Sequence, residues 1–159
     1  MTRAEAAHTA DDGERRMPDR LRRLTSRQLS QLTARSDRLI NEGLARVDAH
    51  KWHYAVLASL QEYGPGSQAT LSRRTGIYRS DMVGVLNELV ERGLVERVPD
   101  PDDRRRNVIT LSARGRRRLP RLDKLLDELH DELLAPLSPA DRDRLMDLLT
   151  RLLDHHTRS

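Results

Sequence analysis

The stretch that most restricts this chain runs from Ser67 to Leu111, where the signals change from helix to strand within a few dozen residues. Ser67 caps a short helix, Gln68 to Thr75, which ends at Gly76. After a tight turn, Met82, Val83, Leu86, Leu89 and Val90 recur at helical spacing in a second helix from about Ser80 to Arg92, with Gly93 placed to end it. Two helices joined by a short glycine-containing turn match a helix-turn-helix, although ordinary helical hairpins share that spacing. The residues that follow narrow the choice. Leu94 to Val98 and Asn107 to Leu111 read as two short strands, and the segment from Pro99 to Arg106 between them reads as an exposed hairpin loop with a basic tip. A hairpin beside the second helix is a wing.

The flanks are helical and rich in leucine. Leu21, Leu24, Leu29, Leu32, Leu39, Leu44 and Val47 predict a long amphipathic helix with an interruption near Gly43. Asp48 is expected to cap the next helix, in which Trp52, Val56, Leu57 and Leu60 share a face before Gly64-Pro65-Gly66 stops it. Ser112 caps a helix carrying Leu119, Leu122, Leu126, Leu129 and Leu133, and Pro120 is expected to bend it or mark its true start. Ser138-Pro139-Ala140-Asp141 opens a last helix with Leu145, Leu148, Leu149, Leu152 and Leu153. One chain cannot bury such long stripes, which predicts a homodimer. The fold class is therefore mainly α with a small β-hairpin wing, a winged helix-turn-helix core flanked by dimerisation helices from both ends of the chain. Its expected divisions are a flexible arm at 1–17, an N-terminal dimerisation helix at 18–47, a DNA-binding domain at 48–111 and C-terminal dimerisation helices at 112–159.

Composition excludes several functions. With no Cys there is no thiol redox sensor and no thiolate zinc finger. No P-loop lysine follows the glycines, and no Ser-His-Asp grouping stands in a recognisable context, so an enzyme is not expected. No apolar run reaches a membrane span and the charged start does not resemble a signal peptide, which predicts a cytoplasmic protein with no membrane partner. The net charge of +4 is unevenly spread. Arg97 to Arg121 holds nine Arg against three Asp, a local +6, whereas Leu122 to Asp154 holds four basic and nine acidic residues, a local −5. Polyanions are drawn to one part of the chain.

From Trp52 to Gly115 the chain resembles the MarR family of winged-helix regulators. The resemblance rests on WHYAVLASL, the glycine stop, SQATLSRRTG, RSDMVGVLNELVERGLVER and DPDDRRRNVITLSARG, in that order. The last is the most specific, with an acidic-proline turn, the Asp103 and Arg105 pair, a short strand and Ser112 three residues before Gly115. Pro120 and a rather long N-terminal arm depart from the pattern. The resemblance implies a ligand-responsive repressor that binds a palindromic operator in double-stranded DNA as a homodimer. A sequence-tolerant nucleic-acid binder is the alternative.

In such a fold the second helix enters the major groove by its first residues. Arg79 can read guanine, Ser80 can reach a base or phosphate, and Asp81 can accept from a cytosine or orient Arg79, unless Ser80 and Asp81 merely cap the helix. Arg104, Arg105 and Arg106 at the wing tip suit a narrow minor groove, and Arg105 matches the family's wing arginine. Ser67, Gln68, Arg73 and Arg74 are expected at phosphates, with plain surface charge as the alternative. Trp52, His53 and Tyr54 stand where the resemblance implies a cleft for a small aromatic or phenolic ligand, though Trp52 also has a core spacing. His50 and His53, three apart, would bind metal only with a third ligand such as His130 or a carboxylate. Without one they are surface residues, and neither metal nor cofactor is expected. The pair His155 and His156 reads as frayed surface.

Overall fold

The structure, a computed structural model, describes residues 17–157. Met17 apart, the expected arm lies outside the described residues. The elements are α1 (Asp19–Arg22), α2 (Thr25–Ala45), α3 (Lys51–Tyr63), α4 (Gln68–Thr75), α5 (Arg79–Glu91), β1 (Val95–Pro99), β2 (Asn107–Leu111), α6 (Ala113–Leu133) and α7 (Pro139–Thr157). This is the expected mainly helical fold with a β-hairpin wing. The chain forms two compact units divided between Arg38 and Leu39. In the first, Leu21, Leu24, Leu29 and Leu32 are 42 to 48% exposed.

The second unit is built on one leucine and valine core. Val56, Leu57 and Leu60 of α3 join Leu71 of α4, and Met82, Val85, Leu86 and Leu89 of α5, with Val95, Ile109 and Leu111 closing from the wing. Leu119, Leu122, Leu126 and Leu129 complete it from α6. Each such side chain, fully buried, contributes about 1.5–3 kcal/mol. The inward set on α5 differs from the expected stripe at one position: Val85 is buried and Val83 is 44% exposed. Both fit a helical period, and the core of α3, α4 and the wing selects between them.

Two junctions hold α4, α5 and the wing together. Gly76 follows α4 in the left-handed region at φ 73°, and its N–H donates to the Ser72 carbonyl at 3.0 Å, so the turn into α5 is tight at no steric cost. The wing pairs antiparallel from Val95 opposite Leu111 to Pro99 opposite Asn107. On the other edge of β2, Gly66 and Ile109 exchange two backbone hydrogen bonds of 3.2 and 2.8 Å, fastening the α3–α4 linker to the hairpin. Ser112 donates to the Gly93 carbonyl at 2.7 Å and accepts from Gly115 N–H at 2.9 Å, which caps α6 and ties it to the end of α5. Gly115 lies so close to the Leu94 carbonyl and to Leu111 that a Cβ there would overlap both.

Two local expectations are corrected and a third is narrowed. Asp48 does not cap α3; it sits at φ 54° after α2, and the N-cap of α3 is His50. Backbone bonds from Asp48 to Ala45 (3.0 Å) and from Ala49 to Leu44 (3.0 Å) end α2 there, and the Asp48 carboxylate pairs with Arg92. Gly43 does not interrupt α2; it is buried where a Cβ would strike the Leu129 side chain, so the glycine serves packing. Pro120 lies well inside α6 rather than at its start, because the Ser112 cap fixes the start upstream. Helix α7 has no buried residue, and Met146, Leu148, Leu152 and Leu153 are 44 to 67% exposed. Among the described residues no helix is long and apolar enough to cross a membrane.

Helices α3 and α6 are joined by a polar contact as well as by core. Tyr54 donates its phenol to Asp123 at 2.9 Å. Burial first, then this hydrogen bond, push the phenol up from 10.0 to about 12.

Gly115→Ala is expected to destabilise by at least about 1–3 kcal/mol, because backbone must move to admit the methyl. Gly84→Ala, with nothing within 4 Å of the new Cβ, should stabilise by about 0.5–1 kcal/mol through helix propensity. Urea midpoints shifting in opposite directions would confirm both. Because the folded Tyr54 pKa is raised, its contribution is complete below pH 10.0 and is lost as pH rises through about 12. The stability gap between the native chain and Tyr54→Phe, about 0.5–1.5 kcal/mol at neutral pH, should therefore be flat up to pH 10.0 and close as the pH rises from there to about 12.

Candidate nucleic-acid interface

Helix α5 has two different faces. Met82, Val85, Leu86 and Leu89 are buried, while Arg79, Ser80 and Asp81 in its first turn are exposed. The N-cap position is Tyr78, which makes no side-chain cap bond, so Ser80 and Asp81 do not serve as the cap. Tyr78 itself is 78% exposed.

The supporting helix is more heavily engaged within the fold. Ser67 caps α4, accepting from Thr70 N–H at 3.2 Å, and its hydroxyl lies 3.0 Å from that of Thr70. Gln68 reaches the Arg79 carbonyl at 3.5 Å, linking the start of α4 to the start of α5. Arg74 donates to the Gly64 carbonyl at 3.2 Å and lies 5.4 Å over the Tyr63 ring, a structural placement. Arg73 is exposed, 3.4 Å from the Thr70 hydroxyl.

In the wing, the acidic residues shape the loop and the basic ones project from it. Asp100 accepts from Asp102 N–H at 2.9 Å and Asp103 from Arg105 N–H at 3.1 Å, while backbone bonds join Asp100 to Arg106 (2.8 Å) and Arg106 to Asp103 (2.9 Å). Arg104, Arg105 and Arg106 are all exposed. Arg105 Nε is 3.5 Å from Asp103, yet its side chain is 94% exposed, so this pair orients the arginine and adds little stability. Arg97 of β1 donates to Asn87 of α5 at 2.5 Å, coupling the wing to that helix.

The three rings at the start of α3 have different surroundings. Trp52 is 39% exposed, Tyr54 is held by Asp123, and His53 is buried with its Nε2 2.8 Å from Glu88 of α5. His50 Nε2 reaches the same Glu88 oxygen at 3.3 Å. Glu88, not His130, is the third residue of this group, and no local sequence signal pairs it with histidines 35 and 38 positions away. A separate cleft of about 320 Å³ is lined by Val47, Asp48, Arg92, Leu94, Arg114, Arg117, Arg118 and Arg121. Its four α6 arginines stand at i, i+3, i+4 and i+7, a helical stripe present in the sequence within the basic cluster. Arg92 pairs with Asp48 and Arg118 donates to the Val47 carbonyl.

Comparisons with known proteins agree with this arrangement. The sequence profile of the MarR family matches residues 43–106. The HTH-type transcriptional repressor NicR of Pseudomonas putida is 28% identical over 64% of this chain, and the match spans only 64% of that relative's own length. The crystal structure of a probable transcriptional regulator from Pseudomonas aeruginosa is 34% identical, covers 83% of this chain and 98% of its own, and superposes with a TM-score of 0.74. A mutant MarR from E. coli, complexed with operator DNA, is 27% identical over 80% of this chain and 92% of its own, with a TM-score of 0.71. These likenesses place the protein among regulators and not among enzymes: the chain belongs to the MarR family of transcriptional regulators.

Proposed function

We propose that the protein is a sequence-specific repressor that binds a palindromic operator as a homodimer and responds to a small organic acid. The observation that carries this reading is the division of labour in the winged unit. Helix α5 buries one face and leaves Arg79, Ser80 and Asp81 exposed at its start, while the hairpin coupled to it through Arg97 and Asn87 carries three exposed arginines. Helix residues of that kind read base edges in a major groove, and an arginine on a wing gains from the negative potential of a narrow minor groove. Arg73 is suited to a phosphate. The operator complex of the E. coli relative and the repressor name of the P. putida relative support the same reading.

The homodimer is supported by apolar surface. Leu148, Leu152, Leu153 and Met146 on α7, and, separately, Leu29 and Leu32 on α2, are 42 to 67% exposed, apolar stripes that a partner chain would cover. Two-fold symmetry then sets half-sites about one helical turn, roughly 10 bp, apart. Ligand response is supported by the cleft of about 320 Å³. That volume is at the lower end of ordinary ligand sites, and its arginines suit a carboxylate. A sequence-tolerant binder would treat operator and random duplex alike.

Arg105→Ala is expected to weaken operator binding by at least about 1–3 kcal/mol, most on A·T-rich flanks, while Arg116→Ala costs little and evenly. Fluorescence anisotropy on duplexes with A·T-rich and G·C-rich flanks measures this, and equal losses on the two would remove the groove-insertion role. Sedimentation at micromolar concentration should show a dimer, and a folded monomer there would contradict the homodimer.

A further inference from the structure

His50, His53 and Glu88 form a group that neither the wing nor the start of α5 uses. His50 is the N-cap of α3 and His53 lies one turn on. Their ring centroids are 3.5 Å apart with the planes tilted by 33°, and both Nε2 atoms address one Glu88 oxygen, at 2.8 Å from His53 and 3.3 Å from His50. All three ligating atoms lie within 4.8 Å of one another. A tetrahedral ion held at about 2.0–2.1 Å needs ligand atoms roughly 3.3 Å apart, close to the two distances to Glu88, and the exposed His50 and Glu88 side chains can adjust to bring the set, now within 4.8 Å, onto one ion.

An imidazole ligates through an unprotonated nitrogen, so the Nε2 atoms that address Glu88 bind an ion in the tautomer that carries its proton on Nδ1. The hydrogen bonds from His53 and His50 hold the Glu88 carboxyl below its ordinary range, so it is ionised. Arg92, one turn beyond Glu88, is paired with Asp48. A buried histidine needs one acceptor, and Glu88 supplies it; a second imidazole beside the first and aimed at the same oxygen adds nothing to that and completes a ligand set. The His53 side chain is 2% exposed, whereas those of His50 and Glu88 are 39 and 48% exposed, which gives a closed side and an entry side.

We propose that His50, His53 and Glu88 bind one divalent transition-metal ion of the zinc type, with a fourth position open to water. Two imidazoles and a carboxylate with an open position match the ligand chemistry of such ions, and the ion would clamp the start of α3 to the third turn of α5. Binding itself does not depend on the DNA reading, and it is measured without DNA.

The test uses the full chain without a polyhistidine tag, with His155 and His156 replaced by Ala to remove the exposed C-terminal pair. Zn²⁺ is titrated calorimetrically, and Co²⁺ is followed by its visible absorption. The expected result is one ion per chain, Co²⁺ bands of tetrahedral intensity, and a Tm that rises with metal concentration. Because His53 is core and its loss would disturb the fold, the half-exposed partners carry the test. His50→Ala and Glu88→Gln should each weaken binding by at least about tenfold, with His130→Ala unchanged. Absence of binding, or equal affinity in the parent and in both half-exposed variants, would overturn the assignment.

Discussion

The second unit depends on one close contact, the packing of Gly115 against the Leu94 carbonyl with Ser112 bonded on both sides. This junction joins the end of α5, the base of the wing and the start of α6. A side chain at position 115 would overlap the Leu94 carbonyl and the Leu111 side chain, so the start of α6 could not stay against both. The buried leucines supply most of the stabilising free energy, but they are interchangeable in a way this contact is not. Leucine burial favours compactness, and the Gly115 contact selects which compact arrangement forms.

In the wing, acidic and basic residues that adjoin in sequence take different parts in the fold. Asp100 and Asp103 accept backbone N–H groups and fold the loop, so the arginines beside them need not. Side chains with no role in folding the loop can change their contacts at little conformational cost. In the supporting helix the relation is reversed, since Arg74 and Ser67 are already bound within the fold. Positive charge alone therefore does not mark an interface; what the charge already touches decides.

The architecture was legible because its signals are local. Caps at Ser67 and Ser112, the glycine after α4 and the alternation in β2 each act within a few residues, and all stand where the sequence puts them. What was not legible depends on tertiary choice. Val83 and Val85 are equally apolar, and only the neighbours of α5 determine which is inside. Asp48 reads as an N-cap by type, yet the end of α2 claims it first. Glu88 is an ordinary polar helix residue until α3 packs against α5 and brings two imidazoles to it. The arginine stripe of α6 was visible as charge, but its function as a cleft wall follows from the Val47–Asp48 turn opposite.

The bridge between Gly66 and Ile109 bears on how the molecule behaves in a crowded solution. With Gly66 on one side and β1 on the other, β2 has partners along both edges at its centre, so the hairpin's open edge belongs to β1. That edge is five residues long, carries Glu96 and Arg97, and ends in Pro99, which has no N–H to offer. Short length, charge and a terminal proline are the features that stop an unpaired strand from recruiting strands of other chains. A hairpin that must project from the molecule is thereby kept from seeding aggregation.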